Sequence, residues 1–321
     1  MLRRTLLAVA ASERIRDLVT TTPATRALVD RYVAGESISD AVRVARSLRE
    51  AGLLVTLDYL GEDTTDSLRA AATATQYVQL LGKLAAEGLT EGGAVEVSVK
   101  PTAVGLLLDE RSAADHIERI AIAAREAGTT VTLDAEDHRT TDAGLRIATT
   151  LRSRFGPVGI SAGGISAGGI STVGSVVQAS LRRTESDVRK LAAPGVRVRL
   201  CKGAYAEPVA EAFPAGHEVD KSFARCLRIL MSGPGYPMIA THDPRLIAIT
   251  GSLGRSRPPD TFEYQMLHGV RPEEQRRLAA GGARVRVYVP YGSDWYGYLV
   301  RRLAERPANL RFFLRSLWSL S

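Results

Sequence analysis

Val95-Glu-Val-Ser-Val-Lys100-Pro101 is a short run rich in β-branched side chains that ends on a lysine and a proline. Such a run reads as a strand, and Pro101 closes it so that Lys100 sits on its last turn. Seven further runs of this kind follow or precede it: Leu53–Leu57, Thr130–Leu133, Ser175–Gln178, Val196–Leu200, Met238–Ala240, Phe262–Met266 and Val285–Val289. Between them lie stretches with apolar residues at i, i+3 and i+4, among them Asp66–Leu84, Ser112–Ala127, Thr140–Phe155 and Ser222–Met231. Strands alternating with helices make βαβ units and a parallel sheet. Eight units in about 250 residues are what a closed (β/α)8 barrel of the TIM type requires. An open doubly wound sheet is the rival, but no glycine-rich dinucleotide fingerprint follows the first strand.

Residues 1–50 precede the first strand and read as an N-terminal helical segment of two or three helices, one of them spanning Asp30-Arg-Tyr-Val-Ala-Gly-Glu36 and ending at Gly35. The barrel is expected over 51–321, with a final helix over the active site. A glycine-rich insertion at 159–174 repeats Ile-Ser-Ala-Gly-Gly and leads into the strand that carries Gln178. It precedes a strand, on the barrel face that serves stability, and reads as a flexible insertion rather than a phosphate cradle.

Composition narrows the function classes. The chain has 321 residues, 45% hydrophobic and 24% charged, with a net charge of +7. Its basic residues are scattered without a run of five, which argues against direct nucleic-acid binding; anionic ligands or a membrane surface suit the field better. Only five of the 42 basic residues are lysines, so each lysine asks for a reason. Cys201 and Cys226 have neither disulfide-framework nor metal-ligand spacing, and no metal is expected. The apolar run near the N-terminus is only about six residues long, short of a signal-peptide core of roughly 7–15. No stretch reaches the roughly 18 apolar residues of a membrane span. A cytoplasmic protein with at most peripheral membrane contact is the expectation.

Barrel active sites lie at the carboxyl ends of the strands. Those ends read Asp58, Lys100, Asp134 with Glu136, Gln178, Lys202, His242, Gln265 with His268, and Tyr288 with Tyr291. Singly, each has a structural explanation; together they form a converging polar ring with two of the five lysines. Lys100 could form a Schiff base, as in aldolases, if burial lowered its pKa. Alternatively it stays charged and holds an anion, with Asp134 as its ion-pair partner. Arg199 and Lys202 bring two cations to one strand end, to meet an anion or to pair internally with Glu207 or Asp134. On the last helix Tyr298, Arg301, Arg302 and Glu305 fall on one face; adjacent guanidiniums can grip one carboxylate, although the same spacing also suits a solvated face.

Taken together these stretches resemble the proline dehydrogenase family, in its monofunctional bacterial form. The likeness runs through Leu57-Asp-Tyr-Leu-Gly-Glu62, Ser98-Val-Lys-Pro101, Leu133-Asp-Ala-Glu136, Gln178 to Arg183 with Thr184-Glu185, and Arg199-Leu-Cys-Lys-Gly-Ala-Tyr205. It continues through Ala240-Thr-His-Asp243, Phe262-Glu-Tyr-Gln-Met-Leu-His-Gly269, Val285-Arg-Val-Tyr-Val-Pro-Tyr-Gly292 and Tyr298-Leu-Val-Arg-Arg-Leu-Ala-Glu305. The resemblance implies an FAD-dependent oxidation of L-proline to Δ1-pyrroline-5-carboxylate, the first step of proline catabolism, with a hydride passing from C5 to flavin N5. It also implies a quinone or other electron acceptor and a separate glutamate-semialdehyde dehydrogenase for the product. By resemblance, Lys100, Arg301 and Arg302 hold the proline carboxylate, and Tyr205, Tyr288, Tyr298 and Leu267 line its pocket. Asp134 and Arg199 match the catalytic positions, while Ala135, Gln178, Lys202, Gly203, Ala204, Thr241, His242 and Gln265, with Arg199, match those that contact FAD. Two departures stand out: Asp243 where the family pattern usually has Asn, and Cys201 where it has an aliphatic residue. A Schiff-base lyase and a non-catalytic ligand-binding barrel are the readings that would compete.

Overall fold

The structure, a computed structural model, describes residues 29–158 and 169–304, with the side chains of residues 158 and 300–304 outside the described part. Eight parallel strands close into a barrel. In chain order they are β1 (Leu54–Tyr59), β2 (Val95–Val99), β3 (Val131–Leu133), β4 (Val173–Gln178), β5 (Arg197–Cys201), β6 (Tyr236–Ala240), β7 (Glu263–Leu267) and β8 (Val285–Tyr291). Helix α1 (Ile38–Glu50) comes before β1. Each strand is then followed by one of α2 (Ser67–Ala86), α3 (Glu110–Glu126), α4 (Thr141–Phe155), α5 (Thr184–Leu191), α6 (Gly216–Ser232), α7 (Pro244–Gly254), α8 (Pro272–Ala280) and α9 (Trp295–Ala304). β1 pairs with both β2 and β8, which closes the ring.

The eight expected runs are the eight barrel strands, with ends shifted by at most two residues. β1 extends to Asp58 and Tyr59, and β4 begins at Val173 rather than Ser175. Strands here alternate between two environments, as a period of two dictates. On β5, Val198 and Leu200 pack outward against Phe223, Cys226 and Leu227 of α6, whereas Arg197 and Arg199 turn into the barrel. Helix starts follow local chemistry: Ser37 and Asp40 form a capping box at α1, and Asp66, Asp109 and Asp243 accept backbone N–H bonds at α2, α3 and α7.

The helix expected to end at Gly35 is helical only over 29–32; Gly35 has φ +129°, and the chain between runs extended beside β8. Ala34 N–H bonds Pro290 O at 2.9 Å and Gly292 N–H bonds Gly35 O at 3.0 Å, so this segment seals the edge of the barrel next to α9. Other expectations for residues 1–28 lie outside the described residues. The repeat at 159–168 does too; on either side of it Pro157–Val158 pairs antiparallel with Ile170–Ser171. β4 keeps parallel register with both neighbours, Thr132↔Gly174 and Gln178↔Cys201, so Gln178 stands where the strand pattern puts it.

Candidate active site

The barrel interior is polar from its floor upward. Glu96 and Glu263, both fully buried, sit among Arg197, Arg286 and Arg199. Arg197 bonds Glu96, and Arg286 Nε bonds Glu263 Oε1 at 2.7 Å. Thr56 and Thr130 hydroxyls donate to Glu96 at 2.8 and 2.6 Å. Burial acts to raise the Glu96 pKa, but Arg197, Arg286 and Arg199 outweigh it and hold the carboxyl at about 2. Gly174 leaves space for this layer, since a Cβ there would lie 3.3 Å from Arg197 Nη1 and 3.1 Å from Thr132 Oγ1.

One layer up, Arg199 is bound from three strands. Its Nη1 donates to Asp134 Oδ1 at 2.6 Å and Ser98 Oγ at 3.0 Å, and its Nε to Gln265 Oε1. The Tyr288 ring packs on the guanidinium at 5.3 Å, and the Tyr288 hydroxyl donates to Asp134 Oδ2 at 2.7 Å. Arg199 is only 4% exposed, so these charge-assisted bonds act at low dielectric and fix its orientation.

Above this layer opens a cavity of about 490 Å³. Its lining includes Asp134, Ala135, Gln178, Arg199, Lys202, Gly203, Ala204, Tyr205, Thr241, His242, Gln265, Leu267 and Tyr288, together with Val176, Cys201, Ala240, Asp243 and Met266. Every residue expected to contact FAD is therefore gathered in one cavity, as are both catalytic candidates. The amide of Gln178 is held by a 2.6 Å bond to Glu136 O. His242 Nε2 accepts the Leu267 N–H at 2.9 Å, which places the ring proton on Nδ1. Gly203 has φ +98° and lies so close to Ser180 that a Cβ would come within 2.3 Å of its Oγ.

Several expectations need correction. Asp134 is not the partner of Lys100: Lys100 Nζ bonds Asp58 Oδ2 at 2.6 Å, and Asp134 is taken by Arg199. β2 has β1 on one side and β3 on the other, so adjacency offers both acids; Asp134 instead faces across the barrel to Arg199 and Tyr288, which leaves Asp58 to the lysine. The internal pairing with Asp134 offered for the Arg199 and Lys202 strand end holds for Arg199, but Lys202 meets neither Asp134 nor Glu207: its ammonium lies 2.6 Å from Asp220 and 3.1 Å from Asp243. Glu207 instead accepts from the backbone of His138 at 3.0 Å. Burial would lower the Lys100 pKa, but Asp58 and Asp134 outweigh it and raise it. For Lys202, too, Asp220 and Asp243 overcome desolvation and raise the pKa. Both lysines stay charged, which removes the nucleophile that a Schiff-base lyase would need.

Lys100 and Tyr298 do not line the main cavity. Lys100 stands at the β2 end beside it, and Tyr298 is buried in an apolar cluster with Tyr32, Val33, Leu60, Trp295 and Leu299. Arg301 and Arg302 fall within α9, but their side chains, like Glu305, lie outside the described residues. The two departures, Asp243 and Cys201, both line the cavity. Asp243 caps α7 through Arg245 N at 2.9 Å, and Arg245 and Lys202 hold its carboxyl well below the usual range. Burial pushes the Cys201 thiol up to about 11, so it is neutral.

Two features escaped the sequence reading. Glu136 binds both Thr102 N at 2.9 Å and Thr102 Oγ1 at 2.6 Å, tying the loop after β3 to the loop after β2. The ion-paired floor was visible as charges alternating with valines, in Val95-Glu-Val, Val196-Arg-Val-Arg and Val285-Arg-Val. In a barrel strand that alternation means inward charge.

A closed β/α barrel with a pinned arginine under a strand-end cavity, flanked by a protonated lysine, defines an enzyme of the β/α-barrel class. The "Proline dehydrogenase" family model matches residues 41–315. "Proline dehydrogenase 1" of Bacillus subtilis (strain 168) is 37% identical over 295 residues, covering 91% of each chain. "Proline dehydrogenase" of Deinococcus radiodurans is 34% identical over 299 residues, covering 90% of each. Among solved structures, proline utilization A (PutA) of Bdellovibrio bacteriovorus, inactivated by N-propargylglycine, superposes with a TM-score of 0.77 at 25% identity. That likeness covers 88% of this chain and 33% of the other. This chain belongs to the proline dehydrogenase family: it is an oxidoreductase that oxidises proline in proline catabolism. Among the described residues no helix is long and apolar enough to cross a membrane.

Proposed function

We propose that the cavity holds FAD and that L-proline binds beside it, between the β2 end and α9. The observation that carries this reading is Arg199, buried at the cavity floor and bound from β2, β3 and β7. The lining fits a flavin: small residues Ala135, Gly203, Ala204 and Ala240 leave room, Val176, Met266 and Leu267 give apolar walls, and Gln178, Thr241, His242 and Gln265 supply polar edges. Bound there, FAD supplies the two-electron acceptor at N5 for the hydride from proline C5.

The protein's own contribution is orientation and charge. Lys100, kept protonated by Asp58, gives the substrate carboxylate a fixed cation; Arg301 and Arg302 are proposed to complete the grip from α9. Tyr288 and Leu267 shape the pocket beneath, and Tyr205 and Tyr298 its rim. Arg199 stabilises negative charge that develops at the cavity floor, with no reorganisation because Asp134, Ser98 and Gln265 already hold it. The ring nitrogen of proline gives up a proton before C5 gives up a hydride, so turnover rises with pH until that amine is neutral. The product, Δ1-pyrroline-5-carboxylate, leaves for a separate glutamate-semialdehyde dehydrogenase, and a quinone or other acceptor takes the electrons. The protein acts in the cytoplasm, with at most peripheral contact at the inner membrane face.

The visible spectrum of the purified protein tests the proposal. Flavin absorbance that L-proline bleaches under anaerobic conditions is the expected result; a colourless protein, or a yellow one that proline leaves unchanged, overturns it.

A further inference from the structure

The cavity floor carries a hydrogen-bond chain with a direction. Arg199 Nε donates to Gln265 Oε1, and Gln265 Nε2 donates to Glu263 Oε1 at 2.6 Å. Glu263 is fully buried and accepts three further bonds, from Arg286 Nε at 2.7 Å, Arg286 Nη2 at 3.2 Å and the Tyr236 hydroxyl at 3.0 Å. Burial acts to raise its pKa, but Arg286 outweighs this and keeps the carboxyl below its ordinary range. A guanidinium can only donate and an ionised carboxylate can only accept. The residue between them must therefore present one acceptor and one donor, in that order. An amide does so in one of its two flips. The other flip sets NH2 against the guanidinium and C=O against the carboxylate, two repulsive contacts away from water.

We infer that Glu263 is a positioning residue for the redox site: it fixes the flip of Gln265, and through it the orientation of Arg199. Glu263 touches neither cavity nor Arg199; it is absent from the cavity lining, whereas Gln265 and Arg199 both belong to it. Asp134 and Ser98 hold the guanidinium from β3 and β2, and Gln265 holds its Nε from β7. Released from Glu263, the amide can turn its NH2 towards Arg199 and push it off the β7 side. The inference rests on the reading of this cavity as the flavin and proline site.

A polarity swap tests it on the full-length, flavin-loaded protein. Gln265→Glu alone sets two carboxylates face to face. The double variant Glu263→Gln/Gln265→Glu restores the order between 263 and 265, since the amide at 263 donates to the carboxylate at 265, which accepts from Arg199. It also sets that amide nitrogen against Arg286 Nε, so its melting temperature is expected to stay below the parent's. Four quantities are read for each protein: kcat and KM for proline, the midpoint potential of the bound flavin, and the melting temperature without proline. Glu263→Gln is expected to lower kcat roughly tenfold with KM changed less than about twofold. Gln265→Glu is expected to fall further, on the order of a hundredfold, and the double variant to recover to within about threefold of the parent and to regain its flavin potential. An unchanged kcat in Glu263→Gln, or a double variant no better than Gln265→Glu, overturns the inference. Recovery of melting temperature without recovery of kcat or potential also overturns it, because the bond would then be structural only. Should Gln265→Glu fail to fold, the kcat and KM of Glu263→Gln decide alone. A parent protein without flavin, or one whose flavin ignores proline, sinks the reading of the cavity instead, while the melting temperatures still report the coupling of 263 with 265.

Discussion

Lys100 Nζ lies 2.6 Å from Asp58 Oδ2, so the cation at the β2 end is already half of a buried ion pair. Asp58 is 1% exposed and Lys100 has only 12% of its side chain exposed. The pair holds the lysine protonated against the pull of burial, and this sets up the first prediction. In Asp58→Asn the desolvation of Lys100 is no longer opposed by its nearest anion, so its pKa falls. The KM for proline in that variant should begin to climb at a lower pH than in the parent, as the buried lysine loses its charge. Parallel KM profiles would remove Lys100 from the carboxylate grip. Stability should also drop, by about 3 kcal/mol, as expected when one partner of a buried pair is removed.

Arg199→Lys should lower kcat by roughly 10²–10³. A lysine keeps the charge but cannot donate at once to Asp134, Ser98 and Gln265, which lie on three strands. Because Lys100 is unaffected, KM for proline should change far less than kcat. Steady-state kinetics that leave kcat within about threefold of the parent would exclude a role for the guanidinium.

Glu136 gives a pH signature. Its burial raises the carboxyl from 4.5 to about 7, even though two bonds from Thr102 favour ionisation. Between those values the folded protein keeps a proton that the unfolded chain has released. Stability therefore falls as pH rises through this window and levels off above it, by about 3 kcal/mol in all. An amide can accept from Thr102 N and donate to Thr102 Oγ1, so Glu136→Gln should melt with a flatter profile from pH 4.5 to 8. Identical slopes for the two proteins would show that Glu136 does not titrate in this range.

Asp243→Asn should be mild for the fold and favourable for the cofactor. The amide still caps α7, so the melting temperature should hardly move; the pairs it loses include exposed Arg245, 74% exposed and worth little. Lys202 would keep Asp220 as its only acidic partner in the pair, and the cavity would lose a negative charge. Flavin retained on extended dialysis should rise relative to the parent. A loss of retention would mean that Asp243 serves to hold Lys202 in place.

The strand count and the closed barrel were legible in the sequence, because each depends on local pattern. Of the cavity lining, Asp134, Gln178, Lys202, His242, Gln265 and Tyr288 were legible as strand-end residues, whereas Ala135, Gly203, Ala204 and Thr241 came from the family resemblance. A β-branched run such as Val95–Val99 announces its strand, and a polar residue just after it announces the site. Pairing across the barrel was not legible. Lys100 and Asp134 follow a registered pair, Val99 and Leu133, on adjacent strands, yet the ammonium reaches back to Asp58, which is level with Ser98, while Asp134 is held by Arg199 and Tyr288. Glu136 was seen as a strand-end acid without its partner, since Thr102 lies in a turn whose path follows from Pro101 and not from any periodicity. The pocket role of Tyr298 came from the family resemblance alone; that its ring would sit in one apolar cluster with Tyr32 and Leu60, far away in the chain, no periodicity shows.

The floor of two carboxylates and two guanidiniums has a consequence for how this sequence can drift. Glu96, Glu263, Arg197 and Arg286 are each 3% exposed or less, and loss of any one leaves an opposite charge stranded out of water. That costs about 3–5 kcal/mol, a large part of the 5–15 kcal/mol that keeps a typical domain folded. Single replacements there should be purged, whereas a paired exchange of an acid and a base for two apolar residues can be nearly neutral. Natural relatives should therefore either keep all four charges or have lost them in opposite-signed pairs, so that these positions change together or not at all.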